Sequence, residues 1–308
     1  VADQSNQGNS VQHRFGGDWT RIKLEILKGY LRAYSSIFNK NPAAQYFDTW
    51  YVDAFAGTGY IDFKETNPEE KQSLFGDLME PETEQFLKGS ATIALEVDPG
   101  FKNHLFIDSR EDHCTSLAEL KKQFPRKVID IRRGDANEKI SEWVKERDWK
   151  KTRAVVFLDP YGMQVDWETT KLLGTTKGVD LWFLIPVGVA MARMLPRNGL
   201  PAQKWAERLD RSIGTSDWRE ELYTPTGQID LFDASQVEMT RNTDTVGLGK
   251  FMVQRLETAF HAVGQNPRPL NNSRGNPLYL LCFAAGNAVG APTAIKIASH
   301  LLEPKSQI

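Results

Sequence analysis

Residues 51–60, Tyr-Val-Asp-Ala-Phe-Ala-Gly-Thr-Gly-Tyr, constrain the fold more than any other stretch of the chain. Residues of strand character lead to Asp53, and a turn almost free of side chains follows, Ala56-Gly57-Thr58-Gly59. The pattern predicts a buried parallel strand over 50–55 whose carboxyl end opens into bare backbone. Glycine lacks a Cβ and tolerates positive φ, so such a loop can press its main chain against a nucleotide-like ligand. The spacing is Asp-x-Phe-x-Gly-x-Gly and lacks the third glycine of the dinucleotide fingerprint. A tight strand-to-helix turn with no ligand is the competing interpretation. A P-loop is excluded, because no Gly-Lys-[Ser/Thr] follows the turn.

The rest of the chain agrees with a sheet built around that strand. Short Val/Ile/Phe/Leu runs at 104–108, 127–132, 154–158 and 179–185 alternate with helical patterns ending near 123 and spanning about 137–148, 166–173 and 187–195. This alternation specifies an α/β fold, a doubly wound, mostly parallel Rossmann-like sheet with helices on both faces. A long first helix starts at the N-cap Asp18 and runs to about residue 39, with Ile22, Ile26, Leu27, Tyr30, Leu31, Tyr34, Ile37 and Phe38 at helical spacing. Lys23 and Tyr30 on that helix either lean over a bound ligand or, for Lys23, read as a solvated lysine of an amphipathic helix. A helix at about 246–262, a strand at 278–284 and a helix at about 292–302 complete the pattern. The expected organisation is a disordered 1–17, one domain over 18–303 with insertions at about 61–88 and 196–244, and a tail at 304–308.

A hydrophobic content of 40% and a charged content of 25% are those of a soluble globular protein. No run reaches the length of a membrane span, and the first residues lack the basic and apolar regions of a signal peptide. Cys114 and Cys282 stand far apart, and the five histidines have no metal-ligand spacing. No metal site and no disulfide framework are expected, and a cytoplasmic location follows. The net charge of −2 hides an uneven distribution: residues 61–84 hold eight acids against two lysines, and residues 121–153 hold twelve Lys/Arg against six acids. The basic tract, including Lys121, Lys122, Arg126, Lys127, Arg132, Arg133, Lys150, Lys151 and Arg153, is either a phosphate-backbone contact or ordinary solvated surface.

Ligands of open α/β sheets bind outside the carboxyl ends of the strands, where strand order reverses. Four successive strands here end in an acid. Asp53 precedes the glycine turn. Asp108, in Leu-Phe-Ile-Asp-Ser-Arg, suits both hydroxyls of a ribose. Asp135, in Arg-Arg-Gly-Asp-Ala, suits an adenine amino group. Asp159 opens Asp-Pro-Tyr-Gly. Taken singly, Asp108 and Asp135 read equally well as helix N-caps, and Asp53 as a cap of its own loop. The fourth acid says most about an acceptor. An Asp side chain beside the main-chain carbonyl of Pro160 can take the N–H bonds of an exocyclic amine, while Tyr161 offers a stacking surface for a flat base. The alternative is a strand-end Asp-Pro turn with a packed tyrosine.

In this order the motifs resemble those of Rossmann-fold S-adenosylmethionine-dependent methyltransferases and, more closely, the three-Cys-motif partner protein family (TcmP). The matching pieces are Trp19-Thr20-x-x-Lys23 with Tyr30, Asp53 to Gly59, Gly89-Ser90-Ala91, Phe106-Ile107-Asp108, Gly134-Asp135, Phe157 to Gly162, and Pro277-Leu278-Tyr279, covering about 18–303. The resemblance implies S-adenosylmethionine as cofactor, held by Asp53, Phe55, Ala56, Gly57, Gly59, Asp108, Asp135 and Ala136, with Asp159, Pro160 and Tyr161 at the acceptor. It implies methylation of an exocyclic amine of a nucleic-acid base, RNA or DNA. Alternatively it implies an accessory cofactor-binding subunit for a cysteine-rich, radical-enzyme-like partner bearing the three-Cys motif. Two departures stand out. A single Pro precedes Tyr161 where amino-methyltransferases carry [Asp/Asn]-Pro-Pro-[Tyr/Phe], so the turn is closer to the Asp-Pro-Phe-Gly of tRNA guanine-N2 dimethyltransferases. Asp108 also lies unusually far beyond Gly59.

Overall fold

The computed structural model describes residues 18–61, 87–229 and 237–304. The expected disordered start, nearly all of the 61–88 insertion, part of the second insertion and the last four residues lie outside the described residues. Helix α1 (Asp18–Lys40) leads to β1 (Asp48–Asp53), and the glycine turn follows. The short strands β2 (Tyr60–Ile61) and β3 (Leu87–Lys88) pair with each other before α2 (Ser90–Glu96). Then β4 (Asn103–Asp108), α3 (Glu111–Gln123), β5 (Val128–Arg133), α4 (Ala136–Lys145), β6 (Thr152–Leu158), α5 (Trp167–Thr175) and β7 (Val179–Ile185) keep the expected alternation.

The main sheet runs β10-β12-β7-β6-β1-β4-β5. Strands β5, β4, β1, β6 and β7 are mutually parallel. The late strand β12 (Pro277–Ala285) joins β7 antiparallel. Along its other edge lie β10 (Ala262–Val263) and β11 (Arg268–Asn271), both antiparallel to it. The chain lays down β1, steps to β4 and β5 on one side, and returns to place β6 on the other. Strand order therefore reverses between β1 and β6, whose register pairs Asp53 with Phe157. That is the crevice where a ligand of such a sheet is seated.

The period-2 alternation of each strand divides the core in two. Tyr51, Phe106, Phe157, Trp182 and Phe283 face α1, α2, α3 and the final helix α10 (Ala291–Leu302). Val52, Leu105, Val156, Leu181 and Cys282 face α4 and α5, together with two helices from later in the chain, α7 (Gln203–Ile213) and α9 (Thr245–Glu257). Asp53, Asp108 and Asp159 have the parity of the first face.

Three elements differ from the sequence expectation. The helix at 187–195 opens as a π turn, Val187–Met191, in which the Pro186 carbonyl accepts the N–H groups of both Ala190 and Met191 before α6 (Ala192–Met194). There Gly188 lies against β12, and a Cβ on it would come 2.0 Å from the Pro277 carbonyl oxygen. The second insertion, where the sequence pattern assigned no elements, has structure of its own. It holds α7, α8 (Trp218–Leu222) and the hairpin β8 (Tyr223–Ile229)–β9 (Val237–Arg241), and Leu209, Ile213 and Trp218 are buried in the second-face core. The helix expected to reach residue 262 stops at Glu257, and Ala262–Val263 pair with β12 instead.

Candidate active site

The four acids stand along one edge of the sheet, at the carboxyl ends of the adjacent strands β6, β1, β4 and β5. Asp53 closes β1 and is wholly buried. Its carboxylate accepts from the Tyr51 hydroxyl (3.2 Å) and the Phe55 N–H (3.3 Å). Burial, with the Asp159 charge nearby, pushes Asp53 up to about 7 against hydrogen bonds from Ser90, the Phe55 N–H and Tyr51. Beyond Asp53 the main chain continues the ladder on both sides: Ala54 donates to Phe157 O and Ala56 to Ile107 O. The backbone leaves the sheet at Gly57.

The two glycines of the turn play different parts. Both need positive φ, +58° at Gly57 and +79° at Gly59. A Cβ on Gly57 would meet nothing within 4 Å, whereas one on Gly59 would lie 2.6 Å from Leu120 Cδ2. Gly57 bares backbone to open space, and Gly59 lets the turn pack on α3. The Gly59 carbonyl is also held, by Thr92 Oγ1 at 2.5 Å and by the Gly89 N–H.

Asp108 ties β4 to the turn. Its Oδ2 accepts the Gly57 N–H at 2.9 Å and its Oδ1 accepts the Arg110 N–H at 2.9 Å. His113 Nδ1 stands 3.1 Å from Oδ2. Burial raises this carboxyl, but the His113 contact and the Arg110 and Gly57 N–H groups together hold it below its usual range. Asp135 caps α4, its Oδ1 accepting the N–H groups of Asn137 (2.9 Å) and Glu138 (3.2 Å), so capping is what this acid does structurally. Ala136 is buried in the second-face core, against which the half-buried Phe55 also packs.

Asp159 follows the last residue of β6, and its Oδ2 is 2.5 Å from Lys23 Nζ. Lys23 is not solvated as expected: its side chain is 7% exposed, against 23% for Asp159. Helix α1 lies across the first face and brings its first turn over the crevice. Trp19 there stacks on Tyr279 of β12 at 5.2 Å, and Lys23 Nζ sits 5.2 Å from the Trp19 ring centroid. Tyr279 is nearly buried, and burial, then Asp159 and Tyr161, push its hydroxyl upward. Lys23, Tyr51, Ser90 and Tyr279 thus join the predicted residues. Lys23 had a signal in the sequence, because it falls on the apolar stripe of α1 with Leu27 and Tyr30; Ser90 and Tyr279 lie within matched motifs that carried no assigned role.

The turn after β6 is firmly braced. Pro160 is buried and Tyr161 is 65% exposed. Asn137 donates to Gln164 O and accepts from the Asp166 N–H and Thr169 Oγ1. The Tyr161 N–H bonds Gln164 Oε1, and Met163 O accepts from Arg208 Nε (2.7 Å) and Ser212 Oγ (3.1 Å) of α7. The second insertion therefore buttresses this turn.

Part of the basic tract is paired within the chain, some of it at the surface. Lys121 donates to Ile129 O, Lys122 pairs with Glu119, Arg132 spans Asp130 and Glu146, Arg133 pairs with Glu111, and Arg153 donates to the Trp149 and Thr152 carbonyls. Among the described residues there is no group of three or more His, Cys, Asp or Glu able to hold a metal, and no helix long and apolar enough to cross a membrane.

No protein-family model matches the chain, and no curated protein matches it. Several solved structures share its outline. A Legionella pneumophila protein is 13% identical over 93% of this chain and 92% of its own, with a TM-score of 0.45. An S-adenosylmethionine-dependent methyltransferase from Clostridium acetobutylicum is 9% identical over 87% and 92%, with a TM-score of 0.31. An rRNA methylase from Streptococcus thermophilus is 11% identical over 72% and 95%, with a TM-score of 0.29. Scores this low carry no weight of their own. The doubly wound, Rossmann-like architecture stands on the strand order.

Proposed function

We propose that this chain is an S-adenosylmethionine-dependent methyltransferase acting on an exocyclic amine of a nucleic-acid base. The observation that carries it is the crevice between β1 and β6, where Gly57 bares its backbone to open space and the buried Asp53 and half-buried Asp108 and Asp159 stand at the ends of neighbouring strands. That donor set fits an adenosyl sulfonium: acidic side chains suit its positive charge and hydroxyls, and the space beside Gly57 is the room a Cβ would fill. When bound, the cofactor supplies an electrophilic methyl group whose bonding pair stays with sulfur. Asp53, Phe55, Ala56, Gly57, Gly59, Asp108, Asp135 and Ala136 form its proposed surroundings.

On the acceptor side, Asp159 and the Pro160 carbonyl take the two N–H bonds of the amine, which turns the nitrogen lone pair away from them. Tyr161, exposed at the mouth, stacks on the base. No strong base is needed before transfer, because the surplus amine proton leaves to water afterwards. The protein contributes mainly alignment. The basic tract is the proposed contact for the polymer backbone, so added salt is expected to weaken substrate binding.

Calorimetry with S-adenosylmethionine, followed by transfer of tritiated methyl to total RNA and DNA from a deletion strain, tests this proposal. Wild-type protein is expected to bind the cofactor and label one polymer, and Asp159→Ala to bind it and label neither. Absence of cofactor binding sinks the proposal. Binding without labelling of either polymer replaces it with the accessory subunit for a three-Cys-motif partner.

A further inference from the structure

Lys23 is a lysine on a stripe that has every reason to be apolar. Its neighbours along the stripe, Leu24, Leu27, Tyr30 and Leu31, are all buried and anchor α1 to the sheet. Further along the helix, the Tyr30 hydroxyl bonds Asp180 at 2.6 Å. Docking of α1 does not call for an ion pair at residue 23, and hydrophobic replacements of such pairs are often neutral or stabilising. What the ammonium touches is Asp159 Oδ2. Among the described residues, Asp159 Oδ1 accepts no hydrogen bond. A second carboxylate, Asp53, lies close enough across the crevice for its titration to feel Asp159.

We infer that Lys23 is the positioning residue of the acceptor site: it occupies Asp159 Oδ2 and so presents Oδ1, fixed in direction, to an acceptor that brings an N–H donor. This rests on the methyl-transfer function proposed above. It also narrows the acceptor. A carboxylate with one open oxygen beside a buried cation receives an amine and repels an acidic acceptor. Among the described residues, the groups that reach Asp159 include Lys23 on α1, Asp53 and Tyr51 on β1 and Tyr279 on β12. Lys23 is the cation among these groups, so its removal takes away the positive charge that pairs with the carboxylate.

The test is a double-mutant cycle of Lys23→Met, Asp159→Asn and the double variant, with Lys23→Arg as the conservative control. Each is assayed by S-adenosylmethionine calorimetry, circular-dichroism melting and tritiated-methyl initial rates on total RNA and DNA across pH. Lys23→Met is expected to bind the cofactor within about twofold of wild type while kcat falls about 100-fold, the usual scale of misplacing a reacting group by an ångström. The acid limb of its pH–rate profile moves upward, and Lys23→Arg restores the limb and most of the rate. Because Lys23 acts only through Asp159, the double variant is expected to be no slower than Asp159→Asn. The double variant is charge-balanced, so it carries the test even where Lys23→Met unfolds. A double variant slower by the full product of the single effects overturns the inference, as does Lys23→Met with a wild-type rate and pH profile. Loss of cofactor affinity in Lys23→Met equal to its loss of rate makes Lys23 structural and also overturns it. Wild-type protein that labels neither polymer refutes the proposed function instead.

Discussion

Replacing each glycine of the turn by alanine separates the ligand-facing residue from the packing residue. Both occupy the left-handed region, where any L side chain costs about 1–2 kcal/mol, so Gly57→Ala loses about that much stability. Gly59→Ala carries the same strain and also drives its methyl to 2.6 Å from Leu120 Cδ2. Leu120 is 1% exposed and packed in the first-face core, so it has nowhere to swing. Overpacking of this kind costs about 1–3 kcal/mol more, which puts Gly59→Ala at about 2–5 kcal/mol. Urea unfolding of the two variants measures this difference, and calorimetry with S-adenosylmethionine measures the other half of the prediction. Gly57→Ala, with its methyl in the open space, is expected to weaken the cofactor at least about tenfold, on the scale of a lost close backbone contact. Equal stability of the two variants would refute the packing assignment of Gly59. Wild-type cofactor affinity in Gly57→Ala would refute the ligand-facing assignment of Gly57.

Two further outcomes follow from particular residues. Burial pushes Asp180 up to about 7 despite the Tyr30 hydrogen bond and the Arg153 charge, so between about pH 4 and 7 the folded protein binds a proton that the unfolded chain has released. Its contribution to stability is therefore present at acid pH and is lost as pH rises, by about 4 kcal/mol in all; Asp180→Asn, which keeps an acceptor for Tyr30, is expected to flatten that decline in urea titrations, and an unchanged slope would contradict it. Tyr161→Ala removes a side chain that is 65% exposed, so the melting temperature should hardly move, while loss of one base stack raises the KM for the polymer about 10- to 100-fold without altering cofactor affinity; a wild-type KM would remove Tyr161 from the acceptor surface.

The alternation of β4, β6 and β7 with their helices was legible because an apolar run dominates each of these strands, as burial on both faces requires, while the edge strand β5 (Val-Ile-Asp-Ile-Arg-Arg) is only partly buried. Val179–Ile185 shows it most clearly, seven residues all buried. Asp53, Asp108 and Asp159 were legible as strand-end acids because period-2 geometry and register place them on one face of neighbouring parallel strands. Lys23 was only half legible: its place on the apolar stripe with Leu27 and Tyr30 marks it, but a lysine in an amphipathic helix reads as solvated until α1 is docked on the sheet. Gly57 and Gly59 looked alike for a similar reason: the identity of the atom facing a missing Cβ is a property of α3, not of the turn.

Local sequence alone determined the doubly wound sheet, the long first helix and the glycine turn after β1, because propensity and hydrophobic period act over a few neighbouring residues. Only tertiary structure decided that Lys23 pairs with Asp159, 136 positions away, and that α7 braces the turn after β6. Those outcomes depend on burial and on which charges meet across the crevice, and neither exists until the helices have closed over the sheet.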